Sequence, residues 1–277
     1  MMSRMMLQAA VTMNQLQRQL DIIGNNIANV QTTGYKARKT EFSSLLFEQI
    51  NNLSDPANLR GRLTPDGVRV GSGARLGDVQ MNLSAGSLIA SDRSLDTALT
   101  NPNDLYLIQV RENNVTESRY TRDGAFYVNP INDGQVMLTT SDGHPVLGRD
   151  GNPIVFSSEF DDLTITANGT VQIHQGQVRL PVGQINVVTA LRPNMLEAVG
   201  ENHFRLPNLA ELGMVETEII QNTFENNDLI QSKVLEQSNV NLSEELTEMI
   251  LTQRSYQFNA RTISMADQML GLVNQLR

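Results

Sequence analysis

Met6, Ala9, Met13, Leu16, Leu20, Ile23, Ile27 and Val30 follow one another in alternating steps of three and four, with polar Asn14, Gln15, Arg18 and Asp21 between them. That 3.5-residue period predicts an α-helix with a narrow apolar seam, the coiled-coil pattern, which is satisfied only against another helix. The β-branched pair Thr32 and Thr33, and then Gly34, suited to a left-handed cap, mark its expected end. The far end of the chain repeats the device. Leu242, Met249, Tyr256, Ile263 and Leu270 stand seven apart, and Leu246, Ala260, Ala266 and Val273 fill intermediate positions of the same stripe. Ser243, Glu244 and Glu245 supply a capping hydroxyl and an acidic first turn that complements the helix dipole. Such helices draw most of their stability from whatever covers the apolar face, so each is expected to need a partner. Two arrangements fit: the core of a helical hairpin inside one compact domain, or two chain ends that pack together and against copies from neighbouring subunits. The narrow seam favours the second, because a core helix usually has a wider apolar face. Residues 1–45 hold five Lys/Arg against two Asp/Glu, and residues 223–277 hold four against seven, so charge weakly favours pairing of the two ends.

Between the ends the apolar period changes to two. Leu105 to Val110, Gly124 to Val128, Val136 to Thr140, Leu163 to Thr166, Val171 to Ile173 and Gln184 to Ala190 read as strands. Asp123-Gly124, Asp133-Gly134, Asp142-Gly143, Asp150-Gly151 and Asn168-Gly169 punctuate them as hairpin signals. The expected fold class is α+β, a central antiparallel all-β domain flanked by N- and C-terminal coiled-coil-type helices that pack together. The expected divisions are an N-terminal assembly helix at 1–39, a connector at 40–64 containing Asn51, Asn52 and Pro56, a β-rich domain at 65–222, and a C-terminal assembly helix at 223–277.

Little in the sequence suggests catalysis. The 277 residues include no Cys, which excludes disulfides and thiolate chemistry, and the formal net charge of −9 argues against a nucleic-acid partner. The longest apolar runs are three or four residues, against the ~20 that a bilayer-spanning helix needs. Met1 to Met13 is interrupted by Gln8 and Thr12 and followed by no A-x-A site, so a cleaved signal peptide is not expected. Gly71, Gly73 and Gly77 have the wrong spacing for a dinucleotide loop. His144, His174 and His203 are about thirty residues apart and form no metal-binding box; only their convergence in one cleft would favour a hydrolase. Asp161-Asp162 has no identifiable carboxylate partner for acid/base work. No catalytic residue, metal or cofactor is expected.

Leu20-Asp-Ile-Ile-Gly-Asn-Asn-Ile-Ala-Asn-Val-Gln-Thr-Thr-Gly-Tyr-Lys36 resembles the N-terminal signature of bacterial flagellar axial proteins, the rod and hook family. Tyr120-Thr-Arg-Asp-Gly-Ala-Phe126 and Asp142-Gly-His-Pro-Val-Leu-Gly148 are similar to its central segments, and Leu235-Glu-Gln-Ser-Asn-Val-Asn241 with Gln253-Arg-Ser-Tyr256 to its C-terminal ones. Ala85-Gly-Ser-Leu88 and Leu95-Asp-Thr-Ala98 match more loosely, and Asn101-Pro-Asn-Asp-Leu-Tyr106 replaces the family's usual Gly-x-Gly-Phe-Phe run. The resemblance implies a structural subunit of the basal-body rod, of distal-rod-like length, that transmits torque to the hook. It implies passage unfolded through the flagellar export apparatus without signal cleavage, then polymerisation with itself and with other rod and hook proteins into a helical tube. The terminal helices would form the inner layer. Met13, Leu16, Leu20, Ile23, Ile27 and Val30 would meet other subunits at one end, and Leu242, Leu246, Met249, Tyr256, Ile263 and Leu270 at the other. Asn25, Asn26, Asn29 and Asn239 would suit such a layer, since an amide donates and accepts without burying charge, although local capping would also explain them. A hook or hook-associated subunit, and a non-flagellar binding module or adhesin with a self-contained hairpin, are the alternatives.

Overall fold

The computed structural model describes residues 2–40, 42–44, 47–50, 68–71, 74–77, 79–112, 114–132, 134–200, 202–223 and 228–275. The chain divides into two compact units, one of Met1–Ile27, Arg38–Gln80 and Leu242–Arg277, the other of Ala28–Ala37 and Met81–Asn241.

The first unit contains the two long helices. α1 spans Met2–Ala28 and buries Ala9, Leu16 and Ile23, every one a member of the expected seam. It ends two residues before Val30, and Gly34 is not its cap. The stretch after it closes in short turns instead, with Thr32 N–H donating to the Asn29 carbonyl at 3.2 Å and Tyr35 N–H to the Thr32 carbonyl at 3.4 Å. The C-terminal helix begins at Leu242, so Ser243 lies inside its first turn rather than at the cap, while Glu244 and Glu245 occupy that turn as expected. The unit also contains antiparallel strand pairs: Phe42–Ser44 with Ala74–Leu76, and Phe47–Ile50 with Val68–Gly71. The described part of the expected connector at 40–64 thus contains ladder-bonded strands, and residues 51–64 lie outside the described residues.

The second unit is antiparallel β throughout its sheets. Its largest has six strands in the order Glu197–Gly200, His203–Arg205, Val115–Thr121, Asp104–Glu112, Val187–Ala190 and Ile220–Asn222. Two three-stranded sheets accompany it, one of Tyr127–Asn132, Gln135–Thr139 and Val155–Ser157, the other of Asp162–Ile165, Thr170–Gln175 and Val178–Gln184. One core joins these small sheets to the large one through Tyr106, Phe126, Leu138, Val146, Ile165, Val171 and Ile185. A second core lies around Leu105, Tyr120, Val188, Phe204 and Ile219. A short helix α2 (Leu209–Leu212) ends at Gly213. Of the five expected hairpin signals, Gly134, Gly143, Gly151 and Gly169 adopt the positive φ that such turns need. Asp123-Gly124 departs from this: it passes alongside Thr97, whose N–H donates to the Gly124 carbonyl at 3.0 Å. The strand expected over Gln184 to Ala190 is interrupted, because Ile185 and Asn186 lie between Val178–Gln184 and Val187–Ala190.

The C-terminal approach to the long helix belongs to this unit and is tied to it by ladders. Ile230–Ser232 pairs with Thr97–Leu99, and Val234–Glu236 pairs with Leu88–Ala90. The long C-terminal helix, α3, spans Leu242–Gln275 and is 34 residues long, roughly 50 Å at 1.5 Å per residue.

Candidate assembly site

Within the first unit α1 and α3 pack on one another through a mixed seam. On α1, Leu16 and Ile23 are buried and Met13, Leu20 and Ile27 half-buried. On α3 the apolar half is Met249, Tyr256, Ile263 and Leu270, all half-buried, and alternating with it are buried Glu245, Thr252 and Ala266 and half-buried Asn259. The polar members are held by hydrogen bonds. Asn26 Nδ2 donates to Glu245 Oε1 at 3.1 Å and to the Arg38 carbonyl at 2.8 Å, its Oδ1 accepts from Arg38 N–H at 3.0 Å, and Gln19 Nε2 donates to Glu248 Oε1 at 2.8 Å. Residue numbers fall along α1 as they rise along α3, so the helices run antiparallel. Burial pushes the Glu245 carboxyl above its ordinary range; the Asn26 hydrogen bond opposes this and the neighbouring Glu248 charge reinforces it. Lys39 and Glu244 add an exposed pair at 3.2 Å.

Leu242, Leu246 and Asn25 are exposed rather than part of this seam. Leu251, Phe258, Met265 and Leu272 form a second stripe in seven-residue steps, 58, 71, 53 and 61% exposed. At about 100° per residue this stripe lies about 200° around the helix from Met249, Tyr256, Ile263 and Leu270. The sequence carried the signal, since these four residues are also a heptad series, but in a second register. A helix with apolar residues on opposite faces is built to be covered on both.

In the second unit, two segments leading to the helices meet over the β-sheets. The N-terminal strap is residues 28–37 and the C-terminal strap residues 234–241. Val30, Tyr35, Ala37 and Val240 form a small apolar cluster. Asn239 serves this junction: its Oδ1 accepts from Ala37 N–H at 2.7 Å and its Nδ2 donates to the Asn82 and Ser84 carbonyls at 2.8 and 3.0 Å. Asn29 accepts from the Thr32 hydroxyl at 3.1 Å. Asn26, Asn29 and Asn239 thus spend amide capacity inside the chain; the Asn29 bond is local, whereas Asn26 and Asn239 reach partners distant in sequence. Gly34, at φ +64°, lies so close to the Arg122–Asp123 peptide that a Cβ would stand 2.6 Å from the Arg122 carbonyl carbon.

Beneath the straps lies a buried charge cluster. Lys36 Nζ donates to Glu236 Oε1 at 2.7 Å and Arg122 Nε to Glu236 Oε2 at 2.6 Å, with side-chain exposures of 1, 0 and 2% for Lys36, Arg122 and Glu236. Gly86 N–H donates to Glu236 Oε1 at 2.8 Å, and Lys36 also donates to the Ser84 carbonyl at 2.8 Å. The remaining guanidinium nitrogens of Arg122 reach the carbonyls of Leu99, Asn101, Pro102 and Asp104. The turn Asn101-Pro-Asn-Asp-Leu-Tyr106 is therefore gathered around Arg122, and Asn101 Nδ2 donating to Asp104 Oδ2 at 2.9 Å helps to close it. Burial opposes ionisation of Glu236, but the Arg122 charge and the Lys36 hydrogen bond hold its carboxyl below the ordinary range. Burial pushes Lys36 down despite its bond to Glu236. The residue-by-residue reading missed this cluster because its members are scattered along the chain, although each lies inside a motif that carries the family resemblance.

His144 and His203 meet ring to ring at 5.3 Å, whereas His174 is at hydrogen-bond distance from the Thr164 hydroxyl, 3.1 Å. Among the described residues, no group of three or more His, Asp or Glu side chains is placed to hold a metal ion.

Comparison with known proteins agrees with this architecture. Residues 6–36 match the family described as flagella basal body rod protein, residues 106–173 the flagellar hook protein FlgE/F/G D1 domain, and residues 231–276 the flagellar basal body rod FlgEFG protein C-terminal region. The flagellar hook-basal body complex protein FlhP of Bacillus subtilis is 39% identical over the full length of both chains. The flagellar basal-body rod protein FlgG of Borreliella burgdorferi is 31% identical over 100% of this chain and 99% of its own, and the FlgG of Bacillus subtilis 31% identical over 96% of each. The matched segments include α1 with its strap, the middle of the β unit, and α3 with the strap that leads to it. The chain belongs to the flagellar basal-body rod protein family.

Proposed function

We propose that this protein is a structural, non-enzymatic subunit of the flagellar basal-body rod that polymerises with its own copies and with other rod and hook proteins. The observation that carries the reading is the uncovered stripe Leu251, Phe258, Met265 and Leu272, on the face of α3 away from the seam shared with α1. Burying such a stripe against sister helices gains about 25 cal/mol per Å² of apolar surface, a driving force available only on assembly. In the rod, α1 and α3 pack as coiled-coil-type helices in an inner layer and meet other subunits through exposed Leu242 and Leu246 and through the second stripe. Residues 1–39 and 223–277 then act as assembly segments flanking the β-rich part of the sequence. The subunit reaches the basal body through the flagellar export apparatus without signal cleavage. Among the alternatives, a rod position suits the full-length match to rod relatives. Similarity to the Bacillus subtilis FlhP, a hook-basal body complex protein, exceeds that to the FlgG of the same organism, which favours an FlhP-type place in the hook-basal body complex. The test is Phe258→Asp, alone and with Met265→Asp, in cells lacking the native copy. The subunit in purified basal bodies is expected to fall at least about tenfold while the β unit of the purified protein melts as in wild type. Normal incorporation of the double variant would remove the basis of the proposal.

A further inference from the structure

We infer that Glu236 controls the seating of the N-terminal strap, so that residues 28–37 are held in the β unit only when the C-terminal strap is in place. The two straps are held differently. The C-terminal strap continues a run of ladder pairing, Ile230–Ser232 on Thr97–Leu99 and Val234–Glu236 on Leu88–Ala90. The N-terminal strap instead takes several of its hydrogen bonds from the other strap: Gly34 N–H donates to the Glu236 main-chain carbonyl at 2.8 Å, and Ala37 N–H to Asn239 Oδ1 at 2.7 Å. Further bonds join Thr33 to Asp123 and Asn202, both in the β unit.

Charge makes the dependence steep. Arg122 is buried among main-chain carbonyls. Bringing the Lys36 ammonium into the same enclosure places a second cation beside it, with the Ser84 carbonyl as its other acceptor. One carboxylate, Glu236, bonds both cations through its two oxygens. Without it the strap would bury two like charges together, and a buried cation stripped of its partner costs far more than a lost surface pair. Lys36 and Glu236 are 200 residues apart, so the counter-ion for the beginning of the chain is supplied close to its end. A chain lacking residues beyond the β-sheets keeps its N-terminal strap, and with it the approach to α1, undocked. This inference stands on the cluster geometry and does not require the rod reading.

The experiment is hydrogen exchange, resolved at single amides, on three full-length purified chains: wild type, Glu236→Gln, and Lys36→Met with Glu236→Gln. Gly34 and Ala37 report the strap, and Leu138 and Val146 report the β core. Glu236→Gln keeps the shape and the main-chain carbonyl, and is expected to speed exchange at Gly34 and Ala37 by about 100-fold or more, the scale of breaking a buried ion pair. Adding Lys36→Met removes one of the two cations left without a counter-ion, and with it their mutual repulsion, and is expected to slow that exchange again by about tenfold or more, a coupling that independent roles would not produce. Should Glu236→Gln also loosen the core amides, the double variant decides: recovered protection at Gly34 and Ala37 supports the inference, and no recovery overturns it. Wild-type protection of Gly34 and Ala37 in Glu236→Gln, or a double variant exchanging as fast as the single one, would also overturn it.

Discussion

Glu245 and Glu236 are buried carboxylates nine positions apart, and their surroundings push their titrations in opposite directions. Burial of Glu245, reinforced by the neighbouring Glu248 charge, outweighs the Asn26 hydrogen bond, so its folded value lies above the ordinary 4.5. The proton is held more tightly in the paired helices than in the unfolded chain, and the pairing therefore weakens as pH rises from that ordinary value through the raised one. Replacing Glu245 by Gln keeps an acceptor for Asn26 and should raise the thermal midpoint of the helical circular dichroism signal at neutral pH and flatten its pH dependence; an unchanged midpoint would contradict the assignment. Glu236 has the reverse sign. Its contribution is present above 4.5 and is lost as pH falls through its depressed folded value, so strap protection should persist under mild acid that tightens the helix pair. Gly34 tests the strap sterically: Gly34→Ala combines a left-handed backbone with a clash against main-chain atoms that cannot rotate away, and a loss of about 1–3 kcal/mol is expected in denaturant unfolding. None of these three roles can be read from local pattern. The N-N-x-x-N amides were visible as unusual, but whether an amide caps, bridges a strap or faces a neighbour depends on which backbone groups the fold brings within 3 Å.

At the scale of elements, the apolar period was informative wherever one face is buried against one neighbour. The α1 seam and the alternating strands of the β unit follow it closely, because burial selects side chains at the period of the backbone that carries them. α3 is less legible for a physical reason. It carries two heptad registers, and a search for one seam finds Met249, Tyr256, Ile263 and Leu270 and passes over Leu251, Phe258, Met265 and Leu272, while Glu245 and Thr252 break the pattern on the side that meets α1. Polar residues in a helix seam cost stability but fix register and partner. Thr252→Leu is expected to stabilise the isolated α1–α3 pair, seen as a higher midpoint of helix melting, and a destabilising effect would count against Thr252 as a seam position. Turn chemistry was legible at the glycines with positive φ and misleading at Asp123-Gly124, where glycine serves the passage past Thr97 instead of a hairpin. Phe42–Ser44 and Phe47–Ile50 read as connector from their composition, and their pairing with Ala74–Leu76 and Val68–Gly71 is a long-range property that composition does not carry.

For the whole molecule, the ends and the middle of the chain follow different rules. The β unit satisfies its own core and closes its buried charges internally, so it has the makings of a finished structure. The helices meet each other along one side and leave large apolar side chains in water on the other, which a subunit meant to remain solitary would not select. Native methionines report directly on that contrast between a completed middle and incomplete ends. Met265 is half exposed on the open stripe, and Met269 is exposed one turn further on. Oxidation of these two residues, followed by peptide mass spectrometry, should be compared between the dilute purified subunit and intact isolated basal bodies. Fast oxidation of both is expected in the free subunit and strong protection of Met265 in the assembled structure; equal oxidation of Met265 in the two would contradict an assembly role for the open stripe.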